Sequence, residues 1–211
     1  MAQVVRHRAA VTSPVTLTEG AIVLRPLRYR DASAWREVRE RNAAWLKPWE
    51  GTLPAEADRV AEMPGSFAQM VRRQRHEARA RLAMPWVIEV EGTFAGQLTL
   101  GGISWGSLRG GYIGYWIDER WAGRGIVPMS VAMACDFAFG SLGMHRIEIN
   151  IRPENAASLR VVEKLGLRQE GMSPQYLHID GGWRDHVRFA VLANEVPGGL
   201  VARLRSSRHA E

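Results

Sequence analysis

The sequence predicts an α+β fold built on a mixed β-sheet. Three observations support this: helical segments come first, a strand meander follows, and the second half alternates strands with helices before a closing hairpin. Helices that precede a run of strands are typical of α+β proteins. The length of 211 residues fits one domain, with or without an arm.

The first half of the chain begins with a predicted strand at residues 22–24, which Pro26 closes. Asp31 is a favourable N-cap for a helix that runs to about residue 41. Prolines then break the chain into short pieces. Residues 66–83 have helical periodicity, with apolar side chains on one face.

The second half is predicted to contain strands, glycine-rich turns and a helix that is apolar on nearly all sides. That helix, at residues 127–139, is expected to be buried against a sheet. Asp180-Gly181-Gly182 has the composition of a hairpin turn. The other predicted elements are strands at residues 86–90, 94–100, 111–118, 145–151, 167 onward and 183–192, and a helix at residues 155–165.

The chain ends are expected to lie outside the domain. Residues 1–19 lack periodicity and are predicted as a flexible arm, residues 20–195 as the domain, and residues 196–211 as a C-terminal tail. No apolar run reaches the length of a membrane span, so no membrane partner is expected. Cys135 is the only cysteine, which favours a reducing cytoplasm and excludes a disulfide framework.

The net charge of +6 comes almost entirely from arginine. It has two explanations: a genome that favours arginine codons, or attraction to anions such as coenzyme phosphates and ribosomal RNA. The even spread of the arginines favours the first explanation. The histidines lack metal-binding spacings such as H-E-x-x-H, so no metal is expected.

A glycine-rich turn, Arg120-Trp121-Ala122-Gly123-Arg124-Gly125, lies between a predicted strand and the apolar helix. The first N–H groups of a helix have no intrahelical partner and carry the positive end of its dipole, which favours an anion. Glycines let the backbone approach that anion closely. Taken alone, the turn fits a phosphate site or a plain structural turn equally well.

The amide donors of such a site would be Arg124, Gly125, Ile126 and Val127, because Pro128 has no N–H. Arg120 and Arg124 can add positive charge. The spacing is neither a dinucleotide G-x-G-x-x-G motif nor a Walker motif.

The sequence as a whole resembles the GNAT superfamily of acetyltransferases. Its pyrophosphate motif, Q/R-x-x-G-x-G/A, is matched by Arg120, Gly123 and Gly125. A second match, R-P-E-N-A-A-S followed by E-K-L-G-L, spans residues 152–158 and 163–167. The resemblance covers about residues 20–195 and implies a mostly antiparallel sheet with one splayed pair of strands, flanked by helices.

The same resemblance implies binding of acetyl-coenzyme A in the splay. Pantetheine would lie beside the strand that ends at Ile117, where a backbone N–H is the natural oxyanion donor. The coenzyme-binding residues that it implies are Trp116, Ile117, Asp118, Arg120, Gly123, Arg124, Gly125, Ile126, Val127, Asn155 and Ser158.

Within the superfamily the chain is most similar to the RimJ/RimL-type branch, which acetylates the N-termini of ribosomal proteins. The segment W-L-K-P-W-E at residues 45–50 looks like the branch's aromatic–proline segment near the acceptor. Trp45, Trp49 and Tyr112 are therefore predicted to line the acceptor channel, with core packing as the alternative.

The acceptor amine attacks directly, so no enzyme nucleophile is expected. Glu50 and Glu148 are the leading candidates for the base, and Asn150 could orient the amine. His178 and Asp185 are weaker candidates. Many GNAT enzymes use a tyrosine as general acid where this chain has Val162.

Ser158 is the proposed substitute for that acid, although it also fits a simple hydrogen bond to the coenzyme. Several alternatives stay open. The acceptor could instead be a small amine such as an aminoglycoside or polyamine, the donor could carry a larger acyl group such as succinyl, or the chain could be a non-catalytic coenzyme- or ribosome-binding module. The sequence leaves ribosome association open and does not distinguish a monomer from a homodimer.

Overall fold

The computed structural model describes residues 15–55 and 65–208. Within them, one open sheet has the strand order β1-β2-β3-β4-β5-β6-β8-β7, and every neighbouring pair is antiparallel except β5 and β6. The strands are Leu17–Glu19 (β1), Ile22–Arg25 (β2), Met84–Val90 (β3), Thr93–Ser104 (β4), Gly110–Ile117 (β5), Arg146–Ile151 (β6), Arg168–Ile179 (β7) and Gly182–Leu192 (β8).

The helices cover both faces of this sheet. Apolar residues of α4, α5 and α6 form the larger core on one face, and α1 and α3 form a smaller core on the other. The predicted α+β architecture is therefore confirmed. The helices are Ala32–Arg41 (α1), Ala43–Leu46 (α2), Phe67–Arg79 (α3), Ile126–Phe137 (α4), Ala156–Leu165 (α5) and Leu200–Arg208 (α6).

Helix α4 makes the crossover between the two parallel strands. Eleven of its 12 residues are buried, as its all-round apolar sequence predicts. A parallel pair requires such a crossover, and burial of a whole helix is the main stabilisation of this half of the sheet. Among the described residues, no helix is long and apolar enough to cross a membrane.

The pairing of β5 with β6 is short. It joins Gly110 to Arg146, Gly111 to Ile147 and Tyr112 to Glu148, and then stops. Beyond that point β5 continues against β4, with Ile117 opposite Gly96, while β6 continues against β8. The strands therefore splay, as the family resemblance implied, and leave backbone groups on both sides of the gap without a partner in the sheet.

The chain ends differ from the prediction. Leu17–Glu19, predicted as part of the arm, pairs with β2, whereas residues 1–14 lie outside the described residues. The predicted tail contains α6, whose Leu200 and Leu204 are buried against the larger core. The segment is short and rich in arginine, so its apolar face was too sparse to predict a helix.

Asp136 on α4 holds the start of α6. Its carboxylate oxygens accept from the N–H groups of Leu200, at 2.7 Å, and Val201, at 3.1 Å. Gly199 precedes them at φ +85°, and a Cβ there would lie 2.8 Å from the Asp136 carboxylate. A carboxylate at a helix N-terminus satisfies free amides and interacts favourably with the helix dipole.

Replacing Asp136 by alanine should therefore cost about 1–2 kcal/mol of unfolding free energy, the usual range for a lost helix cap. Urea denaturation measures this, and hydrogen exchange should show faster exchange at the first amides of α6. Ser206→Ala on the exposed side of the same helix is the control. Equal stability of the two variants would mean that Asp136 does not hold the helix.

Candidate active site

The turn between β5 and α4 has the backbone of an anion cradle. Gly123 and Gly125 lie at φ +76° and +73°, in the left-handed region that glycine adopts without strain. A Cβ on Gly123 would meet nothing within 4 Å, so the glycine faces open space. The backbone conformation therefore favours glycine at both positions, and Gly123 also keeps the approach to the turn clear.

The start of α4 supplies the donors. Its first ladder bond runs from the Met129 N–H to the Gly125 carbonyl, 3.3 Å away, so the amides of Ile126 and Val127 come before the ladder. Both side chains are buried, which leaves their backbone to face the turn. Such free amides at the positive end of a helix fit a pyrophosphate.

Two arginines stand beside these amides. Arg120 is 61% exposed and reaches the Asp118 carboxylate from its Nε at 3.3 Å. The Arg124 guanidinium lies over the Trp121 ring, 5.0 Å from its centroid. Both side chains are at the cradle and lie on the surface, where they can turn to phosphate oxygens. The glycines, the helix amides and the two arginines thus fit the pyrophosphate site that the sequence predicted.

Asp118 has a structural role beside the predicted coenzyme contact. Its side chain is 1% exposed and is surrounded by Arg41 Nη2 at 2.7 Å and Asn42 Nδ2 at 3.0 Å. It also accepts from the Arg120 N–H at 3.2 Å. Both carboxylate oxygens face protein donors, and the coenzyme contact that the resemblance implies for Asp118 stays a prediction. Asp118 fixes the entrance of the cradle to the end of α1.

Burial alone would raise the pKa of Asp118. Hydrogen bonds from Arg41 and Asn42 outweigh that effect and hold its pKa below the ordinary range of an aspartate. The carboxylate is therefore ionised throughout the neutral range. Asn42 completes the connection, because its Oδ1 accepts from the Glu119 N–H at 2.9 Å. No sequence pattern points to Asn42, which lies 76 positions from Asp118.

The splay lies next to the cradle. Ile117 ends β5 with a buried side chain, so only its backbone faces the gap. Across the gap, Asn155 caps α5 by accepting from the Ser158 N–H at 3.0 Å. The Asn155 oxygen is thereby occupied, and its amide nitrogen is the group that can reach a coenzyme. Ser158 is held in the first turn of the helix, with its hydroxyl at the gap.

The acceptor side is the opposite face of the sheet, and Glu50, predicted as a candidate base, is paired there with an arginine. Both carboxylate oxygens of Glu50 are bound by the Arg39 guanidinium, one of them at 2.8 Å. This pair ties the loop after α2 to α1. A carboxylate engaged in this way is poorly placed to take a proton from a substrate, so the contacts of Glu50 favour Glu148 as the candidate base.

Glu148 and Asn150 lie on this face, two positions apart on β6. Glu148 Oε1 accepts from Arg146 Nε at 2.7 Å, and no described residue donates to its other oxygen. Asn150 Nδ2 donates to the Tyr176 hydroxyl at 3.1 Å, whereas its Oδ1 is buried without a hydrogen-bond partner among the described residues. Two acceptor oxygens beside the splay are thus available for an N–H group.

The predicted aromatic residues surround this face. Tyr112 is exposed and lies opposite Glu148 in the sheet. The Trp116 indole packs on Phe94 below Arg39, whose guanidinium is 5.3 Å from the ring centroid. Trp116 therefore forms the acceptor wall with its side chain, and a coenzyme contact from this residue, predicted above, would come from its backbone.

Arg152 holds the aromatic–proline segment in place. Its guanidinium lies 5.4 Å from the Trp49 ring centroid and its Nη1 donates to the Pro48 carbonyl at 2.7 Å. Trp45 is half-buried on α2, just before these residues. Because Arg152 follows β6, the segment is fixed beside the end of the strand that carries Glu148 and Asn150.

The weaker candidates for the base have structural partners. His178 Nδ1 is 2.8 Å from the Thr52 hydroxyl and 3.1 Å from the Thr52 carbonyl. Asp185 accepts from the Gln175 N–H at 2.8 Å, at an irregularity of β7. His178 thus attaches the acceptor loop to the hairpin, and Asp185 shapes that hairpin.

Glu170 is excluded as a base by its charge partners. Hydrogen bonds from Arg146 and then Arg168 lower the pKa of Glu170 to about 2. Cys135 is fully buried in α4, and burial raises the pKa of its thiol, so it is no nucleophile. Within residues 15–55 and 65–208, no group of three or more His, Cys, Asp and Glu could hold a metal ion.

A pyrophosphate cradle beside a splayed parallel pair, with an open acceptor face behind it, defines an acyl-coenzyme A-dependent transferase. Residues 21–168 match the family described as the acetyltransferase (GNAT) domain, and the chain belongs to this family. The prediction of family and fold is confirmed. The enzyme is accordingly an N-acetyltransferase that uses acetyl-coenzyme A.

Its relatives include named ribosomal-protein acetyltransferases. The structure of Mycobacterium smegmatis RimJ, in complex with CoA-disulfide, is 40% identical, with a TM-score of 0.80, and the match covers 88% of each chain. The ribosomal protein uS5-alanine N-acetyltransferase of Escherichia coli is 29% identical over 84% of this chain and 90% of that protein. The match to probable N-acetyltransferase YjcK of Bacillus subtilis, 39% identical, spans 46% of this chain and 54% of that protein.

The cradle can be tested by Gly123→Ala with Gly92→Ala as its matched control. Both glycines are exposed, lie at φ +76° and +79°, and would place a Cβ in open space. Each alanine should cost about 1–2 kcal/mol of stability, because a left-handed backbone is strained for it. Only Gly123→Ala should weaken acetyl-coenzyme A binding, by about tenfold or more, which corresponds to 1.4 kcal/mol in calorimetry. Equal affinities of the two variants would contradict a phosphate site at this turn.

Asp118→Asn tests the anchor below the cradle. Because the pKa of Asp118 is lower in the folded protein, its stabilisation is present above the unfolded pKa of about 3.9 and is lost as pH falls through the folded value. At pH 7 the variant should lose about 1–3 kcal/mol of unfolding free energy. This range lies between the values typical of exposed and of buried ion pairs, because Arg41 is partly exposed. The difference from the wild type should shrink below about pH 4.

The control for this variant is Glu37→Gln, which removes the other carboxylate on the same Arg41 guanidinium. Glu37 is largely exposed, so its loss should cost little. Chemical denaturation across pH measures both variants. If Asp118→Asn were as stable as Glu37→Gln at pH 7, Asp118 would not be the anchor.

Proposed function

We propose that this enzyme acetylates the α-amine of a protein N-terminus, with a ribosomal protein as the substrate. The observation that carries the proposal is a pair of acceptor oxygens beside the splay: Glu148 Oε2 and the buried Asn150 Oδ1, which has no hydrogen-bond partner among the described residues. The named activity of the Escherichia coli relative supports the ribosomal part. The proposal includes contact with the ribosome and a cytoplasmic location.

The protonation state of the acceptor favours an α-amine. Its pKa is about 7.7–8.0, against about 10.4 for lysine, so a useful fraction is neutral at cellular pH. A neutral amine needs orientation and a weak base more than it needs a strong base. Glu148 fits such a role, because Arg146 occupies only one of its oxygens. Asn150 would accept the second N–H and turn the nitrogen lone pair toward the gap.

The charges near this face count against a polyamine. Arg39, Arg146 and Arg152 line it, and their carboxylate partners are already engaged. Within the described residues of this face, a polycation would find no cluster of unpaired carboxylates, whereas a peptide brings a single N-terminal charge and backbone groups that can hydrogen-bond. The aromatic wall of Trp45, Trp49 and Tyr112 also suits the side chain of a first residue.

The chemistry then needs few protein groups. Bound acetyl-coenzyme A supplies a thioester, an acyl donor with a leaving group that departs readily. The chain orients the amine through Glu148 and Asn150, and the free backbone N–H near Ile117 is placed to stabilise charge on the thioester oxygen. Ser158, in the first turn of α5, would be the group that donates a hydrogen bond to the leaving sulfur.

An acceptor panel tests the proposal. Purified enzyme with acetyl-coenzyme A, and separately with succinyl-coenzyme A, would be offered four acceptors. These are a peptide that begins with alanine, an N-terminally blocked peptide with an internal lysine, spermidine and an aminoglycoside. We expect thiol release with acetyl-coenzyme A and the free α-amine peptide. Release only with lysine, spermidine or the drug would overturn the N-terminal proposal, and release with none would indicate a non-catalytic module.

Glu148→Gln tests the acceptor site itself. We expect kcat/KM for the α-amine peptide to fall by about tenfold to a hundredfold. This loss is at or below the smallest rate effect usual for removal of a general base, because the amine is only partly protonated. The loss should shrink as pH rises above the pKa of the amine. Glu170→Gln, which removes the other carboxylate bound to Arg146, is the matched control and should leave kcat/KM largely unchanged. Equal losses in both variants would mean that Glu148 acts only by holding Arg146.

A further inference from the structure

Tyr115 occupies the unpaired part of β5 and faces the coenzyme side of the sheet. Its pairing partner on β4 is Leu98, and it lies beyond Tyr112, the last residue of β5 that pairs with β6. Alternation along the strand places its ring with the larger core, on the side of α4 and α5, opposite to Trp116. A long polar side chain therefore lies along the edge of the splay.

The Tyr115 hydroxyl is buried and has no hydrogen-bond partner among the described residues. A buried hydroxyl without a partner costs about 1–3 kcal/mol, so its position needs an explanation. The polar group beside it is the Ser158 hydroxyl, which opposes the effect of burial on the Tyr115 pKa but is not aligned for a hydrogen bond. Hydrogen bonds in active sites are often loose without ligands and tighten in the complex.

Among the described residues, the Ser158 hydroxyl also lacks the backbone acceptor that two serines of α6 use. Ser206 and Ser207 on α6 donate to the carbonyls four residues earlier, at 3.1 Å each. Ser158 lies in the first turn of α5, and the residue four positions before it, Glu154, precedes the helix. Its backbone is fixed by Asn155 while its hydroxyl keeps its freedom to turn.

We propose that Tyr115 is a positioning residue for the acetyl transfer: its phenol donates a hydrogen bond to Ser158 Oγ across the splay and thereby directs the Ser158 O–H toward the coenzyme sulfur. The contact joins β5 to the helix that follows β6, so it crosses the gap in which the family binds pantetheine. The proposal rests on the acetyltransferase activity described above and is independent of which amine is the acceptor.

The electron and proton balance needs no further reactant. The C–N bond forms as the C–S bond breaks, and the sulfur takes the bonding electron pair. The two hydrogen bonds stabilise this negative charge, and neither hydroxyl is ionised. The amine nitrogen releases one proton to solvent or to Glu148, and the sulfur gains one proton, so the number of protons is unchanged. Burial raises the pKa of Tyr115 to about 12, so the phenol keeps its proton at neutral pH.

Tyr115→Phe separates this role from simple packing, because it removes the hydroxyl and keeps the ring. We expect kcat to fall by about three- to tenfold, the effect of one neutral hydrogen bond, with the Kd of acetyl-coenzyme A and the peptide KM unchanged. Tyr29→Phe is the control, since Tyr29 is an exposed tyrosine that stacks on Arg75 away from the gap. If Tyr115 only packs, the phenylalanine variant will be at least as stable and equally active, which would overturn the proposal.

A double-mutant cycle with Ser158→Ala shows whether Tyr115 acts through Ser158. The double variant should be no slower than Ser158→Ala alone, because the tyrosine has nothing left to position. Additive losses would mean that Tyr115 acts separately, contrary to the proposal. The cycle is measured with any acceptor that the wild type accepts. A wild-type enzyme that prefers another amine would overturn the N-terminal proposal and leave this test intact.

Discussion

The divergence of β5 from β6 after Tyr112 and Glu148 is the constraint on which the rest of the site depends. Backbone N–H and C=O groups must find partners, and a sheet that opens in its middle leaves a row of them free. Such an opening is stable only where the strands are held from their outer sides, as β5 is by β4 and β6 is by β8. The gap is therefore built into the sheet, and a ligand that enters it finds donors already in place.

Strand alternation then divides the chemistry between two faces. Along β5, Tyr115 and Ile117 face the helices that begin at the cradle and at Asn155, whereas Tyr112 and Trp116 face α1 and the acceptor loop. Along β6, Glu148 and Asn150 share the acceptor face. Donor and acceptor can thus reach the same gap from opposite sides without competing for space, as direct transfer requires.

The sequence predicted those parts of the site that are local in the chain. The glycines of the cradle, the start of α4 and the Asn155 cap each involve residues within a few positions, so turn and capping rules identify them. The same rules assigned Asp31 as a helix cap, but its carboxylate instead binds Arg25 at 2.8 and 3.0 Å. Choice among competing partners is decided by the tertiary structure, which local rules do not contain.

Residues whose partners are distant in the chain could not be assigned in this way. Glu50 is one example. Its place in the aromatic–proline segment made it a candidate base, but the sequence does not show that Arg39 binds its carboxylate. Asp118 and Tyr115 are harder, because Arg41 and Ser158 lie 77 and 43 positions away. A sequence does not show which polar atoms are buried. Neither Asp118, the anchor below the cradle, nor Tyr115, at the splay, could therefore be identified from it.

The arginine content takes on a different meaning once these partners are known. Arg25, Arg39, Arg41, Arg146 and Arg152 each bind a carboxylate, and Arg152 also binds a backbone carbonyl. The planar guanidinium suits this use, because it offers several donors in a fixed geometry. These five arginines lie where α1, the acceptor loop and the splayed strands meet. At the cradle, Arg120 and Arg124 lie on the surface, where the helix dipole already favours an anion.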